Sequence, residues 1–307
     1  MSTVPRLVVS AVRGGLGKTT ISLGIIAAWR KQNRRVAPFK KGPDFIDAGW
    51  LGAAAGENCH NLDLFLMPEQ EITRSFQLHS AARDAAVIEG NRGLFDGMDE
   101  AGTYSTARLA RMLDAPVALI VNCTKSSSTV AAVVLGCKQF DPELHLGAVI
   151  LNNVASARQE NVIRKAIERH CGIPVMGAFP KLRRGEFPER HMGLTPHQEH
   201  PDVQGAIDAA GNVAERYLDL DALWALSRNG RESEQKAEPG SATSAIKAVG
   251  TGETIIGVIR DRAFQFYYPE NLEALEEQGA ELRFIDALTD KVLPEIDALY
   301  IGGGFPE

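Results

Sequence analysis

The sequence predicts an α/β protein built on a doubly wound, mainly parallel sheet. From residue 6 to about residue 226, apolar runs of strand length alternate with amphipathic segments of helix length. The runs are continuous in Val, Ile and Leu rather than alternating with polar residues, as strands buried on both faces are. Strands are expected at 7–12, 36–39, 86–89, 117–122, 147–152 and 175–179, and helices at 20–31, 106–113, 129–140 and 159–171. Around residue 227 the composition changes. Residues 227–253 hold Asn-Gly, Pro-Gly, several serines and many charges with little apolar periodicity, which reads as a flexible linker. A second α/β pattern follows, with strands at 254–259, 281–285 and 298–301 and a helix at 270–278. The expected organisation is one large domain over 1–226, a linker over 227–253 and a short partial domain over 254–307.

Bulk properties fit an ordinary globular chain. Of 307 residues, 44% are hydrophobic and 23% charged, and the net charge of −6 lacks the basic excess of a nucleic-acid binder. No apolar stretch approaches the ~20 residues of a membrane helix. The N-terminus runs straight into the first strand and leaves no room for a signal peptide. Cys59, Cys123, Cys137 and Cys171 are scattered without metal-ligand or C-x-x-C spacing, so free thiols in a reducing cytoplasm are expected. Neither a nucleic-acid nor a membrane partner is expected.

The segment Arg13-Gly14-Gly15-Leu16-Gly17-Lys18-Thr19-Thr20 lies between the first strand and the first helix. Strand, glycine-rich turn and helix make a phosphate cradle: backbone N–H groups and the positive helix end converge, and glycines admit close approach. Gly14, Gly15, Gly17, Lys18, Thr19 and Thr20 are the candidate ATP-binding residues. Lys18 would reach the β/γ-phosphates and the Thr19 hydroxyl would ligate Mg²⁺. The usual opening glycine is replaced by Val12. The version present resembles the variant P-loop of the MinD and dethiobiotin synthetase superfamily.

Two further clusters follow predicted strands. Lys40-Lys41-Gly42-Pro43-Asp44-Phe45-Ile46-Asp47 combines two lysines with two carboxylates, suited to an anionic substrate and a metal–phosphate. Read alone, it is better explained as an exposed charged loop with a Gly-Pro turn. Glu89-Gly90-Asn91-Arg92-Gly93-Leu94-Phe95-Asp96-Gly97 places a carboxylate at a strand end, where a Mg²⁺ ligand belongs, before a glycine-rich loop.

In this order the clusters resemble the cobyrinic acid a,c-diamide synthase family and its relatives that amidate other tetrapyrroles. Further matching segments are Asn61-Leu62-Asp63, Ser105-Thr106-Ala107, 147–152, 188–194, 264–272 and 302–307. The resemblance implies a Rossmann-like P-loop synthetase domain followed by a class I glutaminase-like domain. It implies ATP- and Mg²⁺-dependent amidation of peripheral tetrapyrrole carboxylates through an acyl phosphate, with ammonia from glutamine. It also implies roles. Thr19, Glu89 and Asp44 or Asp47 would bind Mg²⁺, Lys40 would neutralise the substrate carboxylate, and Asp96 would order the acyl-phosphate region. Asn152 would read adenine.

Some residues depart from the family. Asn91-Arg92 is more polar than usual and Asn122 stands where relatives often carry Asp, so sirohydrochlorin- or sirohaem-type substrates stay open; Arg92 is either a contact to a substrate carboxylate or solvated. The family's nucleophilic cysteine lies beyond the Gly-Gly-Gly-Phe-Pro-Glu segment where this sequence stops, so glutamine hydrolysis is not expected of this chain alone. His191 and His197 are read as substrate contacts or structural residues. A homodimer is possible. A MinD/ParA-like ATPase switch remains the competing class, since Arg13 stands where those switches carry their signature lysine. A degenerate or inactive remnant is the third reading.

Overall fold

A computed structural model describes residues 4–181, 196–228 and 254–305. The chain divides into two compact units, Met1–Glu232 and Ser233–Glu307. The first is built on a seven-stranded sheet in which every pairing is parallel, in the order β3-β2-β4-β1-β5-β6-β7. These strands are β1 (Arg6–Ala11), β2 (Val36–Lys41), β3 (His60–Leu62), β4 (Ala85–Glu89), β5 (Val117–Asn122), β6 (Leu146–Val154) and β7 (Val175–Pro180). Strands 1, 2, 4 and 5 are buried almost throughout, as their continuous apolar sequences require.

Helices cover both faces. Helices α1 (Lys18–Lys31), α2 (Ile46–Ala55), α7 (Val203–Tyr217) and α8 (Leu220–Ser227) pack on one. Helices α3 (Glu69–Ser80), α4 (Thr106–Met112), α5 (Thr129–Phe140) and α6 (Ala157–Cys171) pack on the other. Two separate apolar cores follow. In the first, Trp29 is fully buried and meets the Trp224 ring edge-on at 5.0 Å between centroids. Alternate residues of each strand feed the two cores: Leu7, Val9 and Ala11 of β1 go to one and Val8 to the other.

The chain leaves β1 toward β2 on one side and leaves β4 toward β5 on the other. The C-terminal ends of β1 and β4 therefore bracket a topological switch point, where ligands of such sheets bind.

The second unit holds a parallel three-stranded sheet, β10 (Ala280–Ile285), β8 (Thr254–Ile259) and β11 (Ala298–Ile301), with α9 (Pro269–Glu277). A short antiparallel pair joins β9 (Phe264–Phe266) and β12 (Gly303–Gly304).

The α/β class and the parallel doubly wound sheet are as expected. The named elements with no sequence counterpart are α2, α3, α7, α8, β3, β9 and β12. Of the expected linker, Ser227 closes α8 and Arg228 caps it, and the rest lies outside the described residues. So do His191 and the whole of the 188–194 segment. No described helix is long and apolar enough to cross a membrane.

Candidate active site at the C-terminal edge of the sheet

The turn from β1 into α1 is closed by glycines in the left-handed region, Gly15 at φ 70° and Gly17 at φ 79°. A Cβ on Gly17 would also come within 3.3 Å of Asn152 Nδ2. Glycine is required there on both counts. Asn152, near the end of β6, donates from Nδ2 to the Leu16 carbonyl at 3.0 Å, and its Oδ1 accepts from Asn153 N at 2.8 Å. The amide is thereby fixed against the turn.

Lys18 opens α1 and is buried. Its ammonium donates to the Arg92 carbonyl at 2.7 Å, tying the turn to the loop after β4. Burial lowers its pKa, with Glu89 pulling the other way. Thr19 donates its hydroxyl proton to Glu89 Oε1 at 2.8 Å, which leaves the oxygen lone pairs free. Thr20 lies one residue on in the same helix.

Next to this hydroxyl three carboxylates converge on one ammonium. Lys40, at 1% exposure, points from β2 toward α1 and α2, with Nζ 2.8 Å from Asp47, 2.9 Å from Glu89 and 3.8 Å from Asp44. Burial alone would depress the Lys40 pKa, but Glu89, Asp47 and Asp44 together outweigh it and hold it above the ordinary lysine value. Glu89 is also 1% exposed; burial pushes its carboxyl up to about 7, against the pull of Lys40. Asp44 is raised too, by burial and by Asp47.

The helix α2 creates this convergence. Asp44 Oδ1 accepts the Asp47 backbone N–H at 2.9 Å, so Asp47 enters the first helical turn facing Lys40. Asn61 pins the preceding turn by donating to the carbonyls of Gly42 at 2.7 Å and Asp44 at 3.0 Å.

The donor set fits Mg²⁺. Glu89 Oε2 is buried without a hydrogen-bond partner, and it stands beside two aspartates and a threonine oxygen, the hard oxygen ligands that this cation takes. The glycine turn fits a phosphate chain, since nothing stands within 4 Å of a Cβ placed on Gly14 or Gly15.

The charge of Lys40 faces the chain's own Asp47, Glu89 and Asp44. Asp96 is exposed and closes its own loop, its Oδ2 accepting from Gly93 N at 2.8 Å. Asn122 caps the turn after β5, accepting from Thr124 N and Oγ1 at 2.9 and 2.7 Å. His197 stands against α2, its ring 6.3 Å from that of Trp50. The four cysteines are free, and burial pushes the Cys123 thiol up to about 11.

Asn61, which holds the turn before α2, is a residue whose contacts the sequence reading did not assign.

The family model for the CobQ/CobB/MinD/ParA nucleotide binding domain matches residues 7–194, and that for the CobB/CobQ-like glutamine amidotransferase domain matches residues 255–307. Similar curated proteins are the cobyrinate a,c-diamide synthases of Magnetococcus marinus, 44% identical over 304 residues, and Archaeoglobus fulgidus, 38% identical over 305 residues. That of Dehalococcoides mccartyi strain CBDB1 is 39% identical over 305 residues. Each alignment covers 99% of this chain and 65% of the relative.

Proposed function

We propose, from the premise that this chain belongs to the CobQ/CobB/MinD/ParA nucleotide-binding family, that it uses ATP to convert peripheral carboxylates of a tetrapyrrole into amides. The observation that carries the ATP chemistry is the meeting of Lys18, Thr19 and three carboxylates at the switch point. The substrate class is supported by the relatives, which are named for cobyrinate a,c-diamide formation.

A carboxylate resists attack by ammonia because it is anionic and has no competent leaving group. Transfer of the γ-phosphoryl of ATP to a carboxylate oxygen forms an acyl phosphate and ADP. Ammonia then adds to the acyl carbon, phosphate leaves, and a proton is lost from nitrogen to give the amide. Positioning and charge neutralisation supply most of the catalysis. Lys18 neutralises the transferring phosphoryl, and the Gly14–Gly17 backbone cradles the phosphates. Thr19, Glu89, Asp44 and Asp47 would hold Mg²⁺, which would supply neutralising charge for the phosphoryl transfer.

Lys40 keeps the acidic cluster assembled before the cation arrives. Asp96 orders the turn at Gly93. Asn152 retains amide hydrogen-bonding capacity for the adenine side. The ammonia source is glutamine or free ammonium.

The test is ADP formation by the purified chain with Mg²⁺ and ammonium chloride, offered cobyrinic acid, sirohydrochlorin and sirohaem in turn. Exchange of hydroxyl for amino on the tetrapyrrole is read by mass. Amide formation with one of them supports the reading. ATP hydrolysis that ignores all three and responds to membrane or DNA instead would replace it with a switch function.

A further inference from the structure

A buried polar row crosses three neighbouring strands of the first sheet. Asn61 of β3 pairs in register with Lys40 of β2, and Lys40 with Glu89 of β4. Residues in register on neighbouring parallel strands share a face of the sheet, so Asn61 stands on the face that carries the carboxylate cluster. Asn61 is 5% exposed, and Lys40 and Glu89 are 1% exposed each. Beyond Glu89 the row turns apolar, continuing as Val9, Ala118 and Ala148. Lys40 and Glu89 pair with each other. Asn61 is the polar member of the row to which the amidation chemistry gives no part.

An amide buried this deeply is costly unless its hydrogens are taken up. The Asn61 Nδ2 group has two hydrogens and two carbonyl partners, Gly42 at 2.7 Å and Asp44 at 3.0 Å. Both partners can only accept, so the side chain has to present its NH₂ to them. These carbonyls flank Pro43, which has no N–H with which to brace the turn itself. Gly42, in the left-handed region at φ 84°, donates its own N–H to the Leu62 carbonyl at 3.2 Å. The turn from Gly42 to Asp44 therefore hangs from β3.

That turn carries two of the cluster's three carboxylates. Asp44 belongs to it, and Asp47 is joined to it through the contact of its N–H with Asp44 Oδ1 at 2.9 Å. Glu89 and Thr19 come from other elements, β4 and α1. The place at which the turn is hung thus decides how the two aspartates meet Glu89.

We infer that Asn61 is a positioning residue for the Mg²⁺ site: its amide fixes the turn, and through it both aspartates, against Glu89. The inference rests on the reading that Thr19, Glu89, Asp44 and Asp47 hold the cation. The chemistry of the side chain suits the role. An ionised aspartate has no hydrogen to give, a protonated one has a single hydrogen, and so has serine. Asn61 acts by geometry, because it carries no charge.

The test is calorimetric ATP binding, with Mg²⁺ and with EDTA, to the wild-type chain, Asn61→Asp and Asn61→Ser. Losing a group that orients metal ligands weakens metal binding roughly tenfold to a hundredfold. Mg²⁺-ATP affinity should fall by about that factor in both variants. With EDTA, ATP affinity should stay within about twofold, because Lys18 and the glycine turn are held by Arg92 and Asn152 and not by the turn at Gly42. Asn61→Asp separates position from charge: a carboxylate added near the cation would tighten Mg²⁺-ATP if charge alone mattered. Wild-type or tighter Mg²⁺-ATP binding in Asn61→Asp, or wild-type binding in Asn61→Ser, overturns the inference and leaves the ligand assignment standing. Equal losses with Mg²⁺ and with EDTA in Asn61→Ser also overturn it, since the residue would then support the fold in general. A wild-type chain whose ATP affinity ignores Mg²⁺ overturns the ligand assignment and the inference with it.

Discussion

Replacing Lys40 by Met removes the ammonium on which three carboxylates converge while keeping most of the side-chain volume. The ammonium lies 2.8, 2.9 and 3.8 Å from Asp47, Glu89 and Asp44, and both Lys40 and Glu89 are almost wholly buried. Breaking a buried ion pair from one side costs about 3–5 kcal/mol. For a unit of this size that is a fall in melting temperature of roughly 6–20 °C. Protons relieve the same repulsion. Burial already raises the Glu89 carboxyl to about 7 and raises Asp44, and both rise further once Lys40 is gone. A carboxyl whose folded pKa lies above its unfolded value stabilises the fold fully below the unfolded value and loses that contribution as pH rises through the folded one. The deficit of Lys40→Met should therefore be small near about pH 5 and greatest near about pH 8. Mg²⁺ should restore the variant more than it stabilises the wild type. The assay is thermal unfolding by circular dichroism across that range. An equal deficit at both ends would mean lost packing alone, and no deficit at any pH would refute the counter-ion role.

Lys18→Ala should lower ATP turnover at least about a hundredfold, the scale of one preorganised charge contact; near-normal turnover in a coupled ADP assay would remove Lys18 from the phosphate site. Gly17→Ala should destabilise the turn by about 1–2 kcal/mol from the left-handed backbone alone. It should also push a methyl toward Asn152, so nucleotide titration should show weaker ATP binding; unchanged affinity would contradict the cradle. Cys123, fully buried with its thiol pushed up to about 11, should resist a disulfide-exchange reagent in the folded chain near about pH 8 and react once urea exposes it. Rapid labelling of Cys123 in the native chain, read by peptide mass, would contradict that burial.

Long, uniformly apolar runs made the sheet legible. The expected strand at 117–122 and helix at 129–140 coincide with β5 and α5. Helix α2 was hidden because Gly49 and Gly52 interrupt it. Its stability comes from packing, with Trp50, Leu51 and Ala54 buried in the core shared with α1. Strand β3 has only three residues, too few to show a period.

The site divides in the same way. Glycines next to Lys18-Thr19 mark a phosphate turn because local backbone geometry demands them. Which carboxylates face which lysine is set by the crossing of β2, β4 and α2, so a linear reading could collect Lys40, Asp44, Asp47 and Glu89 but could not pair them.

The most direct test of tetrapyrrole activation follows oxygen. Cobyrinic acid labelled with ¹⁸O in its carboxylates is incubated with the chain, Mg²⁺-ATP and ammonium chloride, and the inorganic phosphate is analysed by mass. An acyl phosphate carries a carboxylate oxygen away with the leaving phosphate, so labelled phosphate should accumulate in step with amide. Unlabelled phosphate accompanying amide formation, or ADP formation without any amide, would contradict it.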